Sequence, residues 1–506
     1  MSNFKSKAKE ALASERVTSG ALTAVLIATV LALNVVIFAI ATIFGLSFTV
    51  KEESSIALTG NTDSLFEDAI SSGKKVTISF CYPTAEEVQS HATGSFVHKT
   101  AEEFKARYGD FIELEYINLI TRENSKGESV AEKIKTYQTD MQGKENYFSR
   151  STVIFECGKN YKVVTDTYSS AGFADFYTLD TAGQATSYNG EAFMASMIRW
   201  VTENEHPTAY FTVGHSEQLD RAFANLIISA GYYVDTVDLR VEEVPSDAGL
   251  LIISNPLSDF EKGSGARTEL ERLNSYVERG GNIYVAFDPY VKRLPVFEKF
   301  LADCGIAFSV TENDGKTYRN IVKDSTNAIT SDGFTLVTNF ADNETAMSIG
   351  NKVSSYSDGK VIIREAAALK LSGNAKPLLI TTSSSSLEVG GERVDSAGSY
   401  PVAAYTELSG MGERVASLFV VSSVYMSVSD ALVTNGYANT DFLYALFDDF
   451  YGRDGMPYGC DIVRADTSTL ENLTMGTARI YTALILAVPT ALAAVGAVIL
   501  VKRKNR

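Results

Sequence analysis

The sequence predicts an α/β protein that two transmembrane helices anchor in a membrane, with a large extracytoplasmic region between the two helices. The anchors are predicted by two long apolar runs, residues 20–50 and 480–501, which contain no charged residue. The fold between them is predicted by short apolar strands that alternate with amphipathic helices, a pattern typical of doubly wound sheets with helices on both faces.

Both apolar runs are long enough to span a bilayer as helices, which takes about 20 residues. A cleaved signal peptide is the alternative for residues 20–50, but its apolar core usually has about 7–15 residues. In the second run, Pro489 is compatible with a helix because membrane helices accept prolines that soluble helices reject. We therefore expect two uncleaved transmembrane helices, at residues 20–50 and 480–501.

The charge distribution predicts the topology. The 506-residue chain has 45 Lys and Arg against 62 Asp and Glu, a net charge of -17. The tails 1–19 and 502–506 carry +2 and +4, so residues 51–479 carry -23. Basic tails beside the spans place both termini in the cytoplasm of a two-pass cell-membrane protein, with residues 51–479 outside. An acidic protein of this kind is not expected to bind nucleic acid.

Residues 51–190 are predicted to form an N-terminal α/β domain. An apolar strand at 74–83 and a second at 111–120 flank a long helical stretch, and this order indicates a βαβ unit. Residues 151–166 then predict a β-hairpin around Gly158.

Residues 206–452 are predicted to form a second, Rossmann-like α/β domain. Its predicted strands are 208–213, 233–240, 249–256, 282–289 and 414–423, and its predicted helices are 218–231, 266–281 and 438–451. A further amphipathic helix at 190–207 precedes this domain. Polar sequence with repeated Gly and Ser turns indicates an irregular insertion at about 306–400, and 453–479 is expected to be a linker back to the membrane.

The candidate site is the turn Gly214-His215-Ser216-Glu217, between a strand and a helix, where α/β folds bind ligands. In one interpretation His215 is a base and Glu217 is its partner or a ligand contact. In the other, Gly214 makes the turn, Ser216 caps the helix and Glu217 stabilises its first turn. Asp288, at the end of a later strand, faces the same crevice or simply ends its strand. Gly214, His215, Glu217 and Asp288 are thus candidates for binding a ligand or partner.

No motif indicates a catalytic, metal or cofactor site. The strand at 250–254 continues as Asn255-Pro256-Leu257-Ser258-Asp259, which lacks the Gly-flanked nucleophile of an elbow. The sequence has no GxxxxGK[ST] loop, so it does not hydrolyse ATP by the P-loop route, and none of its four histidines lies in an HExxH motif. The four cysteines are too widely spaced for a CxxC metal site, although long-range pairing stays open.

Three segments, NGEAFMASMIRWVTENEHPTAYF (189–211), YFTVGHSEQ (210–218) and LLIISNPLSDFEKGSGARTELERLNSYVERGGNIYVAFDP (250–289), carry a family resemblance. They resemble the GldG-type auxiliary component of ABC transporters, a gliding-motility-associated family. The resemblance covers residues 74–300, and the final span with its basic tail matches the family in layout. It implies a glutamine-amidotransferase-like domain that has lost its nucleophile, membrane anchors, and a separate ATPase and multi-span permease as partners.

We therefore expect a non-catalytic, extracytoplasmic accessory subunit of an ABC transporter, not an enzyme, with no cofactor. The alternative is a membrane-anchored hydrolase or small-ligand-binding protein that uses the crevice at His215 and Glu217. A stand-alone sensor is disfavoured because tails of 19 and 5 residues are too short for an output domain.

Overall fold

A computed structural model describes residues 56–165, 172–179, 185–260, 267–356, 359–395, 397–411, 414–432, 437–452, 455–460 and 462–464. The predicted tails 1–19 and 502–506 and the predicted spans 20–50 and 480–501 lie outside these residues, as does the linker beyond residue 464. Within the described ranges, no helix is both long enough and apolar enough to cross a membrane.

The elements alternate between strands and helices along most of the chain. The helices are α1 (Glu67–Ser71), α2 (Ala85–Ser90), α3 (Gly94–Tyr108), α4 (Ala131–Tyr137), α5 (Gly190–Thr202), α6 (Arg221–Ser229), α7 (Glu269–Glu278), α8 (Pro295–Asp303), α9 (Glu344–Ser354), α10 (Ser429–Leu432) and α11 (Asn439–Tyr451). The strands up to the middle of the chain are β1 (Val76–Phe80), β2 (Ile112–Asn118), β3 (Glu123–Asn124), β4 (Val153–Cys157), β5 (Asn160–Val164), β6 (Tyr177–Leu179), β7 (Ala185–Tyr188), β8 (Thr208–Thr212), β9 (Tyr233–Val237), β10 (Ala248–Ser254) and β11 (Ile283–Ala286). The later strands are β12 (Ile306–Phe308), β13 (Val310–Asn313), β14 (Lys316–Arg319), β15 (Ile321–Lys323), β16 (Thr335–Phe340), β17 (Val361–Arg364), β18 (Leu369–Leu371), β19 (Lys376–Ile380), β20 (Ser386–Val389), β21 (Glu392–Arg393), β22 (Pro401–Ser409), β23 (Val415–Val421) and β24 (Val463–Arg464).

The N-terminal sheet has the strand order β3-β2-β1-β4-β5. Strands β1 and β2 are parallel, with Val76 opposite Ile112, and α2 and α3 lie in the connection between them. Strands β4 and β5 are antiparallel and turn through Gly158 and Lys159. Gly158 has a φ of +64°, which glycine adopts without steric cost. The predicted βαβ unit and hairpin are confirmed.

The large sheet has the order β17-β16-β19-β22-β23-β11-β10-β8-β9. Five neighbouring strands, β9, β8, β10, β11 and β23, run parallel. They are the five strands that the sequence predicts for this domain, and the helices α6 and α7 separate them as predicted. The residues of β8, β10, β11 and β23 are mostly buried, as expected for parallel strands covered on both faces.

Residues 306–400 are more regular than their polar sequence suggests. Strands β16, β17 and β19 from this segment, together with β22, extend the large sheet as its antiparallel half. The strands of the segment are short, two to six residues, and Gly and Ser turns separate them. The apolar side chains in each are therefore too few to give a clear periodicity in the sequence.

Alternate residues of β10 pack on opposite faces of the large sheet. Leu250 and Ile252 belong to the core that includes residues of α6, α9 and α11. Leu251 and Ile253 belong to the core that includes residues of α7 and α8. Each of these four side chains is fully buried and contributes about 1.5–3 kcal/mol of hydrophobic stabilisation. The predicted layered arrangement of helices on both faces is confirmed for this domain.

Candidate functional site

The candidate site lies where the strand order of the parallel half reverses. Strand β8 lies between β9 and β10, and the chain passes from β8 through α6 to β9 and then crosses back to β10. The loops that follow β8 and β10 therefore diverge at the carboxyl edge of the sheet. In open α/β sheets, ligands bind in the crevice that such a divergence creates.

His215, in the loop after β8, is held by two side chains from beyond β10. Its Nε2 lies 2.7 Å from Oε1 of Glu269 and its Nδ1 lies 3.1 Å from Oγ of Ser258. The imidazole stacks on the ring of Phe260, with centroids 4.7 Å apart. His215 and Glu269 are each 3% exposed, whereas Ser258 is exposed. A buried histidine and glutamate thus join the two sides of the crevice.

The surroundings favour the protonated form of His215. Burial acts to lower its pKa, but the hydrogen bond to Glu269 and the negative charges of Glu269 and Glu217 outweigh burial, so the pKa is raised above the ordinary value. When protonated, the ring donates to both Glu269 and Ser258. When neutral, Nε2 keeps its proton for Glu269, and Nδ1 accepts a hydrogen bond from the Ser258 hydroxyl.

Gly214 and Glu217 shape the backbone around His215. Gly214 has a φ of +118°, and a Cβ there would lie 2.5 Å from Nε of Arg240, which pairs with Asp238. Only glycine fits this position without displacing the Arg240–Asp238 pair. Oε2 of Glu217 accepts a hydrogen bond of 2.8 Å from the His215 backbone N–H. Its other carboxylate oxygen is buried without a hydrogen-bond partner among the described residues.

Asp288 is linked to this crevice through Asn255. The Asp288 backbone N–H donates to Oδ1 of Asn255 at 3.1 Å, and the Asp288 carboxylate accepts from the backbone N–H of Tyr290 at 2.9 Å. Asp288 therefore makes the turn after β11. No contact between its side chain and His215 occurs within the part of the chain that the structure describes.

Asn255 takes the backbone position that a nucleophile would need. It follows β10 directly, has a φ of +53° and is 1% exposed. A nucleophile elbow is likewise a strained turn directly after a strand, with Ser or Cys at its tip. A carboxamide is not a nucleophile of that kind. The residue at this turn is therefore Asn255, where an elbow would have Ser or Cys.

Three features of the site differ from, or go beyond, the sequence prediction. The helix cap is Asp220, whose Oδ1 accepts from the backbone N–H groups of Ala222 and Phe223 at 2.8 and 3.2 Å, so the assignment of Ser216 as the cap is wrong. Ser216 instead is exposed with a φ of +59°.

Sequence reasoning missed Glu269 and the role of Ser258. Glu269 follows the cap residue Thr268 and looks like an ordinary acidic first-turn residue, so no local signal reveals its contact with His215.

A cleft of about 310 Å³ lies at the same edge of the sheet, and later residues of the loop that contains His215 line it. It is lined by Gln218, Leu219, Asp220, Ser254, Val424, Ser427 and Val428. These residues come from the loop after β8, the end of β10 and the segment after β23. Asp220 is saturated there, since its carboxylate caps α6 and also accepts from the N–H and hydroxyl of Ser429. Besides Asp220, the lining has three apolar residues, Leu219, Val424 and Val428, and three uncharged polar residues, Gln218, Ser254 and Ser427.

The remaining groups considered from sequence do not form a reactive centre. Within the described residues, no cluster of His, Cys, Asp and Glu is arranged to hold a metal ion. All four cysteines lie in described residues, and no disulfide joins any two of them. Burial raises the pKa of Cys81 to about 12 and, together with the charge of Asp303, that of Cys304 to about 11. Both thiols are therefore protonated and unreactive near neutral pH.

The sequence matches no protein-family profile and no curated protein. Solved structures with similar backbones include the N-terminal domain of mmIFT52, at 17% identity and a TM-score of 0.37, covering 49% of this chain and 99% of that one. A ThuA-like protein from Bacteroides uniformis is similar at 12% identity and a TM-score of 0.28, covering 48% and 92%. PurLQS from Thermotoga maritima is similar at the same identity and TM-score, covering 48% and 99%. TM-scores this low do not assign the chain to a family.

Proposed function

We propose that the protein is a non-catalytic, extracytoplasmic accessory subunit of an ABC transporter that works with a separate ATPase and permease. The observation that carries the non-catalytic part of the proposal is the identity of Asn255. This residue occupies the strained turn after β10, and its side chain accepts a hydrogen bond from the Asp288 backbone. The site has the backbone of a ligand-binding crevice without the nucleophile that a hydrolase would carry there.

Features of the whole sequence support the transporter part of the proposal. The chain has two charge-free apolar runs with basic outer flanks, at residues 20–50 and 480–501, and has no P-loop. A membrane-anchored subunit without a P-loop depends on another subunit for ATP hydrolysis. The segments that resemble the GldG-type component include the turn at Gly214 and the strand that precedes Asn255. In this proposal the crevice is a docking site, with Gly214, His215, Glu217 and Asp288 around it.

The non-catalytic part can be tested with conservative changes in the crevice. A double variant, His215→Gln with Glu217→Gln, removes the base and the neighbouring carboxylate but keeps groups of similar size. In this account the folded variant binds its partners more weakly, but each assembled complex supports transport at the wild-type rate. A folded variant that still assembles with the ATPase and permease yet loses transport would contradict it. Glu278→Gln, an exposed change at the end of α7, is the matched control.

A second candidate function is favoured by the hydrogen-bonded series Ser258, His215 and Glu269. In an ester hydrolase, Oγ of Ser258 would attack the acyl carbon and pass its proton to Nδ1 of His215. That proton would then leave with the alcohol, and water would release the acyl group from Ser258 in a second step. The exposed hydroxyl, at 3.1 Å from the imidazole, is the observation in its favour.

A fluorophosphonate probe separates the two functions because it labels only activated serines. The hydrolase account expects labelling of the wild-type protein at Ser258, none in Ser258→Ala and full labelling in Ser216→Ala. The accessory-subunit account expects no labelling above the Ser258→Ala background. The raised pKa of His215 enlarges the protonated fraction of the imidazole at a given pH, and a protonated imidazole cannot accept the serine proton.

A further inference from the structure

The two ends of the described chain meet beside helix α5. The incoming segment, residues 56–62, and the return segment, described at residues 455–460 and 462–464, are far apart in sequence. Nevertheless, Nδ2 of Asn61 donates a hydrogen bond of 2.8 Å to the carbonyl oxygen of Gly459, 398 positions away. A Cβ on Gly459 would lie 2.8 Å from the same nitrogen, so the two segments approach closely.

The incoming segment binds the start of α5. The backbone N–H and the hydroxyl of Thr59 each donate to Oε1 of Glu191 at 2.9 Å. Glu191 lies in the first turn of α5 and is 5% exposed. The helix dipole favours a carboxylate in a first turn, and burial strengthens its hydrogen bonds to Thr59.

The return segment binds the last turn of α5 and the strand that precedes this helix. Arg199, in the last turn of α5, donates through Nη1 to the carbonyl oxygen of Gly455. Farther along, β24 pairs antiparallel with β7, with Val463 opposite Tyr188. Strand β7 ends just before α5 begins, so the return segment runs along the helix from its end to its start.

The same segment is also fixed to the large sheet's helix α11. The backbone N–H of Gly459 donates to Oδ1 of Asp441 at 3.0 Å, and the Tyr458 hydroxyl donates to Oδ2 of Asp448 at 3.1 Å. The Tyr458 ring stacks on Tyr356 with centroids 5.0 Å apart. The return segment thus connects the region of the large sheet to α5 and the incoming segment.

We infer that residues 455–460 and 462–464 are a strap that couples the incoming segment, residues 56–62, and the return segment to each other and to α5. The chain leading from the first predicted span and the chain leading to the second are held side by side at Asn61 and Gly459. A displacement imposed on either end is transmitted to the other and to α5. The role in a membrane rests on the proposed function, whereas the coupling itself rests on the contacts of described residues.

Hydrogen exchange of the full chain in mild detergent tests the coupling. Arg199→Ala removes the donor to Gly455, and deuterium uptake should rise together in peptides that cover 455–464 and 56–62. Arg199→Lys keeps a donor and should raise uptake in both segments by less. Lys299→Ala, which removes an exposed pair with Asp303 on α8, should leave both segments unchanged. A rise confined to 455–464, or no rise at all, overturns the inference.

Cross-linking in native membranes tests the proximity without weakening α5. Asn61→Cys places a thiol at the position that contacts Gly459, the sequence neighbour of native Cys460. A protease site inserted in the exposed turn at Gly390 and Gly391 then allows the chain to be cut between the two cysteines. A short dithiol-reactive reagent should keep the two fragments joined, and Cys460→Ser should abolish that link. Fragments that separate in the Asn61→Cys variant overturn the strap. This result does not depend on whether an ATPase and a permease co-purify, so failure of the strap and failure of the proposed function are distinguishable.

Discussion

Nε2 of His215 lies 2.7 Å from Oε1 of Glu269, although the two residues are 54 positions apart in sequence. The pair joins the loop after β8 to the first turn of α7, on opposite sides of the crevice. Both side chains are buried, and each gives the other a hydrogen-bond partner. Without that partner, removing the imidazole or the carboxylate from water would be costly. The contact fixes the geometry of the crevice that we propose as a docking site.

The first prediction concerns the protonation of His215. Glu269→Gln removes the negative charge that raises the pKa of His215 and leaves only an uncharged amide oxygen as acceptor, whereas burial, which lowers the pKa, remains. The His215 pKa in the variant should therefore fall below its wild-type value. NMR titration of the ring protons measures it directly, since the chain has only four histidines. An unchanged pKa in Glu269→Gln, with Glu278→Gln as control, would show that Glu269 does not set the protonation of His215.

The same pair predicts a pH dependence of stability. The folded-state pKa of His215 is raised above the ordinary value of 6.5, so folding favours proton uptake. Its contribution to the free energy of unfolding is fully present below pH 6.5 and is lost as the pH rises through the folded-state pKa. Urea unfolding at a series of pH values measures this loss. The difference in free energy of unfolding between wild type and Glu269→Gln should shrink as the pH rises through the folded-state pKa of His215. A difference that grows with pH would contradict the assignment.

Asp324 carries the second stability prediction. Its carboxylate, 2% exposed, accepts hydrogen bonds from the hydroxyls of Thr382 and Ser384 and from the backbone N–H groups of Thr326 and Asn327. Although burial acts to raise the pKa of Asp324, these bonds lower it to about 2.

Replacing Asp324 by Asn should lower the free energy of unfolding near neutral pH by about 1–3 kcal/mol, because charge-assisted hydrogen bonds are lost. The wild-type advantage is present above pH 3.8 and disappears as the pH falls toward about 2. Urea titrations across that interval check both points. Asp342→Asn, at an exposed position, should leave the stability unchanged. Equal stabilities of wild type and Asp324→Asn at neutral pH would show that the cluster is not stabilising.

The fourth prediction separates steric overlap from backbone strain at glycine. Gly214→Ala would place Cβ 2.5 Å from Arg240 at a φ of +118°, whereas Gly73→Ala at a φ of +67° meets no atom within 4 Å. Gly73→Ala should cost about 1 kcal/mol of strain, and Gly214→Ala should cost about 1–3 kcal/mol more. Thermal unfolding of both variants measures the difference. Equal losses would mean that Arg240 moves away freely.

Sequence reasoning predicted most of the parallel half because its strands are strongly apolar and bounded by Gly, Pro or Asn. It placed His215 at the end of β8 for the same reason. It could not predict Glu269 as the partner of His215, because nothing in the local pattern distinguishes that carboxylate from Glu271, which belongs to a capping box. Long-range contacts of this kind depend on how α7 packs against the sheet.

The helix cap and the antiparallel half show the same limit. Ser216 and Asp220 are both suitable caps by residue type, and only the backbone path of the loop, with φ of +59° at Ser216, selects Asp220. In the antiparallel half, β19 and β17 have only five and four residues. Such short strands form mainly because they pair with strands that are distant in sequence. The intrinsic β-propensity of their own residues contributes less.

The central claim, that this chain is an accessory subunit of an ABC transporter, is tested most directly by affinity purification of the tagged full-length protein from its native membranes in mild detergent. The account predicts that an ATPase with a P-loop and a multi-span permease co-elute with it in constant ratio, and that the same preparation hydrolyses ATP. A monodisperse chain that elutes alone, with no ATPase or permease bound, would contradict the claim.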